Sequence, residues 1–391
     1  MSESSSTVQG LVTALHELSI QCLKSQDVKQ FNFEKANEEV KNDAEAKGPQ
    51  EQVHEIDKFL LPSCRQQLKE LIELLDVALT GTDPNPKLPE ALKLVKELGP
   101  TLLQLHSAAT VLAPPTTSMS QISSSTDQND GDLKEFRLNY RSSGVTSLIG
   151  GPLRDLILEI FQFILTKRYA YNDSDSAYQR FQIISVSRQV FSKIDQLIAM
   201  PTRSDEGVLK IDWESSHKQM GDCLAKLNQR VDESVDGPSE GVFRSRVVEL
   251  SQKAIPLVQL ARVFFKNLVY DSLFTFDGEL SSAELDELRR SSKAITFYLA
   301  NITDSLLRFH RNEQVGYTNT VPACAEHVKT GMTEALGTFR ALAKPKNSNP
   351  TITSEEAFSE LSSLMKSQFF PTCDALWAAA QKFAADYPAA R

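Results

Sequence analysis

The feature that most constrains the fold of this chain is an apolar stripe between Leu285 and Phe309. Its members recur three or four residues apart, which is the spacing of one face of an α-helix. The stripe consists of Leu285, Leu288, Ser292, Ile295, Leu299, Ile302, Leu306 and Phe309. Charged side chains occupy the positions between them, so the opposite face of the helix is expected to be exposed to solvent. Because burial stabilises by about 25 cal/mol per Å² of apolar surface, the stripe requires other helices to pack against it.

The start of this helix is also marked in the sequence. Ser281 or Ser282 is a suitable N-cap residue, since its hydroxyl can accept a hydrogen bond from a backbone N–H of the first turn. Glu284 would lie in that first turn, where a negative charge complements the helix dipole.

Helical spacing recurs along most of the chain. It predicts further helices over 7–24, 50–79, 88–112, 153–171, 177–200, 213–235, 242–271, 321–342 and 358–383. Pro62 and Pro100 fall inside two of these patterns, where we expect kinks or breaks. No run alternates apolar and polar residues with the period of two that marks a half-buried strand, so no sheet is predicted.

The fold class predicted is all-α, with two packed antiparallel helical bundles. Residues 1–112 supply the N-terminal helices, and residues 136–236 supply central helices that complete the N-terminal bundle. Residues 237–391 form four long rods with short connections, the pattern of a four-helix bundle. Residues 113–135 are rich in Ser, Thr, Pro and Asp and poor in large apolar residues, so we expect a disordered linker there.

Composition excludes several classes of partner and compartment. The net charge is −9, and basic clusters are absent, which argues against nucleic acid as a partner. Apolar runs are interrupted by charges before they could span a membrane. The N-terminus MSESSSTVQG lacks the features of a classical signal peptide. Five scattered cysteines without a CxxC motif indicate thiols in a reducing compartment, the cytoplasm or the nucleus.

The sequence predicts no catalytic residue, no cofactor-binding residue and no metal ligand, so the protein is not expected to be an enzyme. The six histidines do not pair at helical spacing, and no phosphate-binding loop or nucleophile motif appears. Gly150 and Gly151 precede a predicted helix and could present N–H groups to an anion, although a simple turn explains them. His327 lies three residues after Cys324, and we interpret it as a solvent-edge histidine beside a core cysteine.

Two further features allow more than one interpretation. Trp213 and Trp377 could be interface anchors, although core positions are the simpler explanation. The short strings Pro62–Cys64, Pro322–Cys324 and Pro371–Cys373 share a Pro-x-Cys pattern before a helical stripe. An old duplication, a shared structural need where rods come close, and chance are the three explanations.

The segment Ile255–Phe265 (IPLVQLARVFF), together with the stripe Leu285–Phe309, resembles fungal relatives of the D-type-cyclin-binding protein family. That family is similar to the talin, vinculin and α-catenin type of helical bundle. The resemblance implies an interaction protein of the cytoplasm or nucleus, without catalysis. Similar proteins in rust fungi imply an alternative, a pathogen effector (avirulence protein) in the host cytoplasm that a plant immune receptor recognises.

The sequence therefore favours a non-enzymatic scaffold that mediates protein–protein interaction. Long amphipathic helices can form a groove between them that accepts a helix of a partner protein, and the sequence contains no set of residues typical of catalysis. The expected partners are proteins, either through such a docked helix or through a host immune receptor. An enzyme or small-molecule carrier with a pocket between helices is a further alternative.

Overall fold

The computed structural model of the chain describes residues 2–24, 47–77, 85–112, 126–171, 173–235, 241–270, 274–276, 280–312, 318–345 and 354–387. These residues are overwhelmingly helical, which confirms the predicted all-α class. The contacts divide the chain into two compact units. The first comprises Met1–Ile122 and Asp130–Thr202, and the second comprises Ser123–Asn129 and Arg203–Arg391.

In the described part of the first unit, the α-helices are α1 (Ser2–Lys24), α2 (Pro49–Glu55), α3 (Leu61–Leu74), α4 (Leu88–Leu112), α5 (Glu135–Leu148), α6 (Arg154–Leu165) and α7 (Ser174–Ile198). In the second unit they are α8 (Asp205–Val235), α9 (Val242–Val269), α10 (Ser282–Asn312), α11 (Thr320–Leu342), α12 (Ser354–Leu364) and α13 (Phe370–Asp386). In the part of the chain that the structure describes, three π-helical segments join consecutive helices into continuous rods, and the second of them is kinked at Gly151. They are π1 (Ile56–Leu60) between α2 and α3, π2 (Ile149–Leu153) between α5 and α6, and π3 (Met365–Phe369) between α12 and α13.

The first unit is a ring of rods around an aliphatic core. Helix α1 packs against α4 and α6, α3 packs against α4 and α7, and α7 packs against α6. Helix α5 lies across α4 and α7. Leu15, Leu68, Leu105, Ile160 and Ile194 are all fully buried in this core.

The second unit is also a ring, in the order α8, α9, α13, α11 and α10. Every member of the stripe between Leu285 and Phe309 is buried, as predicted for α10. The core contains an aromatic cluster in which the ring centroids of Trp213 and Phe339 lie 5.5 Å apart, and those of Phe264 and Phe339 lie 6.0 Å apart.

The boundary between the units differs from the predicted one. The sequence placed residues up to 236 in the N-terminal bundle, but α8 packs against α9 and α10 of the second unit. The indole Nε1–H of Trp213 on α8 donates to the hydroxyl of Ser292 on α10 at 3.1 Å. The four predicted rods therefore share their bundle with a fifth. An apolar stripe shows that a helix is buried without showing against which neighbour, and the turn signal at 236–238 lies outside the described residues.

The predicted disordered linker is wrong for its second half. Residues 113–125 lie outside the described residues, but 126–135 include a 3₁₀ turn, Gly131–Leu133, and two buried side chains, Asp127 and Lys134. The carboxylate of Asp127, which is 6% exposed, accepts hydrogen bonds from the backbone N–H and the hydroxyl of Ser282 at 2.9 and 2.5 Å. The positive end of a helix dipole explains why a polar segment is ordered here.

The predicted N-cap of α10 is confirmed. The carboxylate of Glu284 accepts from the backbone N–H of Ser281 at 2.8 Å, and the hydroxyl of Ser281 accepts from the N–H of Glu284 at 3.4 Å. This reciprocal arrangement is a capping box.

The sequence analysis missed a small two-stranded ribbon in the second unit. Strand β1 (Phe274–Phe276) pairs antiparallel with β2 (Ala343–Pro345), with Thr275 opposite Lys344. Strands of three residues are too short to display an alternating pattern, so no sequence signal was available.

Two of the prolines in Pro-x-Cys strings follow a π segment at the same distance. Pro62 comes two residues after the end of π1, and Pro371 comes two residues after the end of π3. A proline ring clashes with the carbonyl four residues earlier, and in both rods that carbonyl belongs to a π segment, where the helix is wider. The shared context supports a structural need for the string. Pro322 instead lies in the first turn of α11, where its missing N–H costs no helical hydrogen bond.

Candidate interaction groove

Helix α9 forms the first wall of a surface groove in the second unit. Its buried face includes Leu257, Ala261 and Phe264, which are all fully buried. Apolar residues continue around the helix onto a second row of Pro256, Leu260 and Val263, which is four and then three residues apart. Pro256 and Leu260 are half-buried, and Val263 is 39% exposed. The helix is thus apolar on more of its circumference than its neighbours cover.

The second wall comes from π3 and the first turn of α13. The π segment is followed by Pro371, and the wider turn gives this part of the rod a different side-chain spacing from a regular α-helix. Ser367, Gln368, Pro371 and Thr372 point to the groove from this side.

The groove has a volume of about 500 Å³ and is open to solvent. Its lining residues are Pro256, Gln259, Leu260, Val263, Ser367, Gln368, Pro371 and Thr372. Four of these are apolar and four carry an amide or hydroxyl group, and none is charged. A surface of this kind suits an apolar side chain flanked by hydrogen-bonding groups.

The lining of the groove carries hydroxyl groups without a base among the lining residues. A hydroxyl such as that of Ser367 or Thr372 needs an adjacent base to act as a nucleophile. None of the residues that line the groove is His, Asp, Glu, Lys or Cys.

A second concave site lies in the first unit, near the end of α3. It has a volume of about 470 Å³ and is lined by Glu70, Glu73, Leu74, Asp76, Asn85 and Lys87. Its carboxylates do not converge as a metal site, since no group of three or more His, Cys, Asp or Glu side chains in the described residues could hold a metal ion.

The first unit contains a buried ion pair that sequence reasoning missed. The Nη2 of Arg141 on α5 lies 3.1 Å from Oδ2 of Asp57 in π1, and the two side chains are 1% and 4% exposed. Burial raises the pKa of Asp57, while the charge and hydrogen bond of Arg141 oppose that rise. Asp132 extends the cluster, with one carboxylate oxygen 2.6 Å from Nη1 of Arg137. The pair is enclosed by protein, so it balances charge within the core.

The five cysteines are all buried and none forms a disulfide. Burial raises the pKa of the Cys64 thiol to about 12, and burial likewise raises those of Cys22 and Cys373 to about 12. Thiols with such pKa values stay protonated and are poor nucleophiles. The thiol of Cys373 donates to the backbone carbonyl of Ala325 at 3.1 Å, so it acts as a packing group between α13 and α11.

The structure also settles the other positions that the sequence singled out. Gly150 and Gly151 lie at the junction of α5 and α6, where the backbone of Gly151 is non-helical (φ −108°, ψ −109°) and the chain kinks, so the turn into α6 that the sequence predicted is present there. His327 is exposed and stacks on Tyr298 with ring centroids 4.6 Å apart, and Cys324 is buried beside it, as predicted.

Trp213 is in the core, at 2% exposed, but the core interpretation is wrong for Trp377, which is 42% exposed.

The groove itself was not predicted residue by residue. A signal was present, since the apolar residues of α9 cover too wide an arc for one buried face. The sequence gives no sign that π3 would lie beside Pro256, because that depends on the tertiary packing of α9 against α13.

The fold and groove together define a helical-bundle protein of two units, the second of which carries a neutral, partly apolar surface groove. Family models match both units. Residues 50–201 match a domain of unknown function (DUF8723), and residues 204–376 match a second domain of unknown function (DUF8721). The division between the two matches falls where the structure divides the chain. No curated protein and no solved structure matches the chain.

Among the described residues, no helix combines the length and the apolar character that crossing a bilayer requires.

Proposed function

We propose that the protein is a non-enzymatic interaction module that binds a helix of a partner protein in the groove between α9 and α13. The observation that carries this proposal is the partly exposed apolar row of Pro256, Leu260 and Val263 beside neutral hydrogen-bonding groups. The resemblance of this region to a family of interaction proteins agrees with the proposal.

The spacing of the row on α9 suits a partner helix. At about 1.5 Å per residue, Pro256 and Val263 are about 10 Å apart along α9, which is about two turns. A partner helix would cover this row with residues spaced three and four apart.

The proposed site of action is the cytoplasm or nucleus. Five buried cysteines without a disulfide support a reducing compartment.

The test is affinity purification from cells that contain the protein, with quantitative mass spectrometry of the bound proteins. Val263→Asn places a polar amide in the groove without adding charge. Phe297→Asn is the matched control, since Phe297 is a 60% exposed apolar residue on α10. We expect a stoichiometric partner with the native chain and with the control, and its loss with Val263→Asn.

Two results would contradict the proposal. One is repeated recovery of the native chain without a stoichiometric protein partner. The other is a partner that Val263→Asn retains as well as Phe297→Asn does, because such a partner would bind elsewhere.

A further inference from the structure

Helix α9 has a charge opposite to that of the whole chain. The protein has 42 basic and 51 acidic side chains, a net charge of −9. Helix α9 carries five basic side chains and one acidic side chain, a formal charge of +4. One wall of the groove is therefore a helix whose formal charge is opposite to that of the whole chain.

Three lysines lie within three residues, along the chain, of residues that line the groove. Lys253 precedes Pro256 by three residues, Lys266 follows Val263 by three, and Lys366 immediately precedes Ser367. Lys266 and Lys366 are exposed and Lys253 is half-buried. Within the described residues, none of these three ammonium groups forms an ion pair.

The one acidic side chain of α9 and one of those on α13 are paired with other cations. Glu249 on α9 lies 2.9 Å from Nη1 of Arg246. Asp374 on α13 lies 2.7 Å from Nζ of Lys329. Positive charge on α9 is also felt by its neighbour α8, because Arg262 and Lys266 add to the effect of burial in lowering the pKa of His217.

We propose that the partner of this groove is an amphipathic helix whose apolar row is bordered by aspartate and glutamate side chains. This inference rests on the proposed function and names the chemistry of its partner. The apolar row of the partner covers Pro256, Leu260 and Val263, and its carboxylates face Lys253, Lys266 and Lys366. Complementary charge of this kind speeds association and excludes partners with basic borders.

Two synthetic peptides serve as probes with the full chain. Both are helical peptides of four turns with leucine at spacings of three and four. The first carries glutamate at every position beside the leucine row, and the second carries lysine there. Fluorescence anisotropy measures the dissociation constant of each at low and at physiological salt. We expect the glutamate peptide to bind about tenfold more tightly than the lysine peptide, with a preference that falls as salt rises.

A triple variant assigns that preference to the groove. Lys253→Gln, Lys266→Gln and Lys366→Gln together should weaken binding of the glutamate peptide about fivefold to tenfold, since exposed charge pairs each contribute modestly. The matched control is Lys69→Gln, Lys93→Gln and Lys226→Gln, which removes three lysines that do not line the groove and should leave binding unchanged. Circular dichroism checks that both variants are folded.

The outcomes separate this inference from the proposed function. Equal binding of the two peptides, or an equal effect of the two triple variants, would contradict the inference that the partner helix has an acidic border. Binding to phosphatidylserine vesicles or to duplex DNA but not to the glutamate peptide also overturns it, because the positive wall would then serve a different polyanion. If a native partner is lost with Val263→Asn but is indifferent to the three groove lysines, the proposed function holds and this inference fails.

Discussion

The buried ion pair of the first unit allows a prediction whose size follows from the structure. Arg141→Met removes the cation that lies 3.1 Å from the carboxylate of Asp57 and leaves that carboxylate in a position where it is 4% exposed. Loss of one partner from a buried pair typically costs about 3–5 kcal/mol. An independent limit comes from proton binding. Instead of remaining charged in the core, the lone carboxylate can bind a proton. With an unfolded-state pKa of about 3.9, that protonation costs about 4 kcal/mol at pH 7 and about 1.5 kcal/mol at pH 5.

The direction of the pH dependence follows from the pKa of Asp57. Burial raises this pKa above its ordinary value, so the folded chain binds the proton more tightly than the unfolded chain does. The contribution of Asp57 to the free energy of unfolding is therefore largest at low pH and declines as pH rises through the folded-state pKa. Arg141→Met removes the main opposing effects, so the pKa rises further. The cost of Arg141→Met should be about 3–5 kcal/mol at pH 7 and should shrink on acidification to pH 5.

The assay is urea unfolding followed by far-ultraviolet circular dichroism at both pH values. Both tryptophans, Trp213 and Trp377, belong to the second unit, so fluorescence reports the unfolding of that unit alone. The double variant Asp57→Leu, Arg141→Met should recover most of the loss, because apolar replacements of a buried pair are often neutral or stabilising. Arg65→Met is a surface control that breaks an exposed pair with Asp195, and it should cost less than about 1 kcal/mol.

Two results would refute this reasoning. A cost of Arg141→Met below about 1 kcal/mol at pH 7 would mean that the site is solvated well enough to hold a lone carboxylate. A cost that stays constant between pH 7 and pH 5 would mean that protonation of Asp57 does not relieve the loss of Arg141.

Three further predictions concern single groups. Ser292→Ala leaves the buried indole N–H of Trp213 without its acceptor and should lower the free energy of unfolding by about 1–3 kcal/mol, and an unchanged fluorescence midpoint in urea would contradict this. Asp127→Ala removes the acceptor for Ser282 and should lower the free energy of unfolding by about 1 kcal/mol in the same assay. Asp127→Asn is a control that should have a smaller effect, and equal urea midpoints of the two variants would contradict this prediction. Cys64, whose pKa burial raises to about 12, should resist iodoacetamide at pH 8 until the chain is unfolded, and mass spectrometry showing rapid native labelling would disprove the burial argument.

The elements that were predicted well are those in which one local pattern is sufficient. The stripe of α10 advances by alternating steps of three and four, which keeps its members on one face of a regular helix, and all of them are buried. Helix α4 has the predicted bounds, Leu88–Leu112. Such patterns depend on the chain near them and need no knowledge of the rest of the fold.

The π segments were missed although a signal for them was present. The buried residues Ile56, Leu60, Cys64 and Leu68 advance by three successive steps of four, and Leu361, Met365, Phe369 and Cys373 do the same. On a regular α-helix each step of four residues rotates the side chain by about 40° around the helix axis, so the stripe would move off the buried face. The wider turn of a π segment brings the next residue of the stripe back to that face. The assignment of α8 and the position of the groove required tertiary information that no local pattern contains.

The extra residue in each π segment affects how this chain can be aligned with related chains. A π turn accommodates one residue more than an α turn without moving the ends of the helix, so a chain can lengthen or shorten inside a rod while its connections stay the same. Alignments of relatives must therefore allow single-residue gaps at π1 and π3. A gap moved to the nearest connection would assign Asp57 to the wrong face of its helix and separate it from the arginine that it meets in the core.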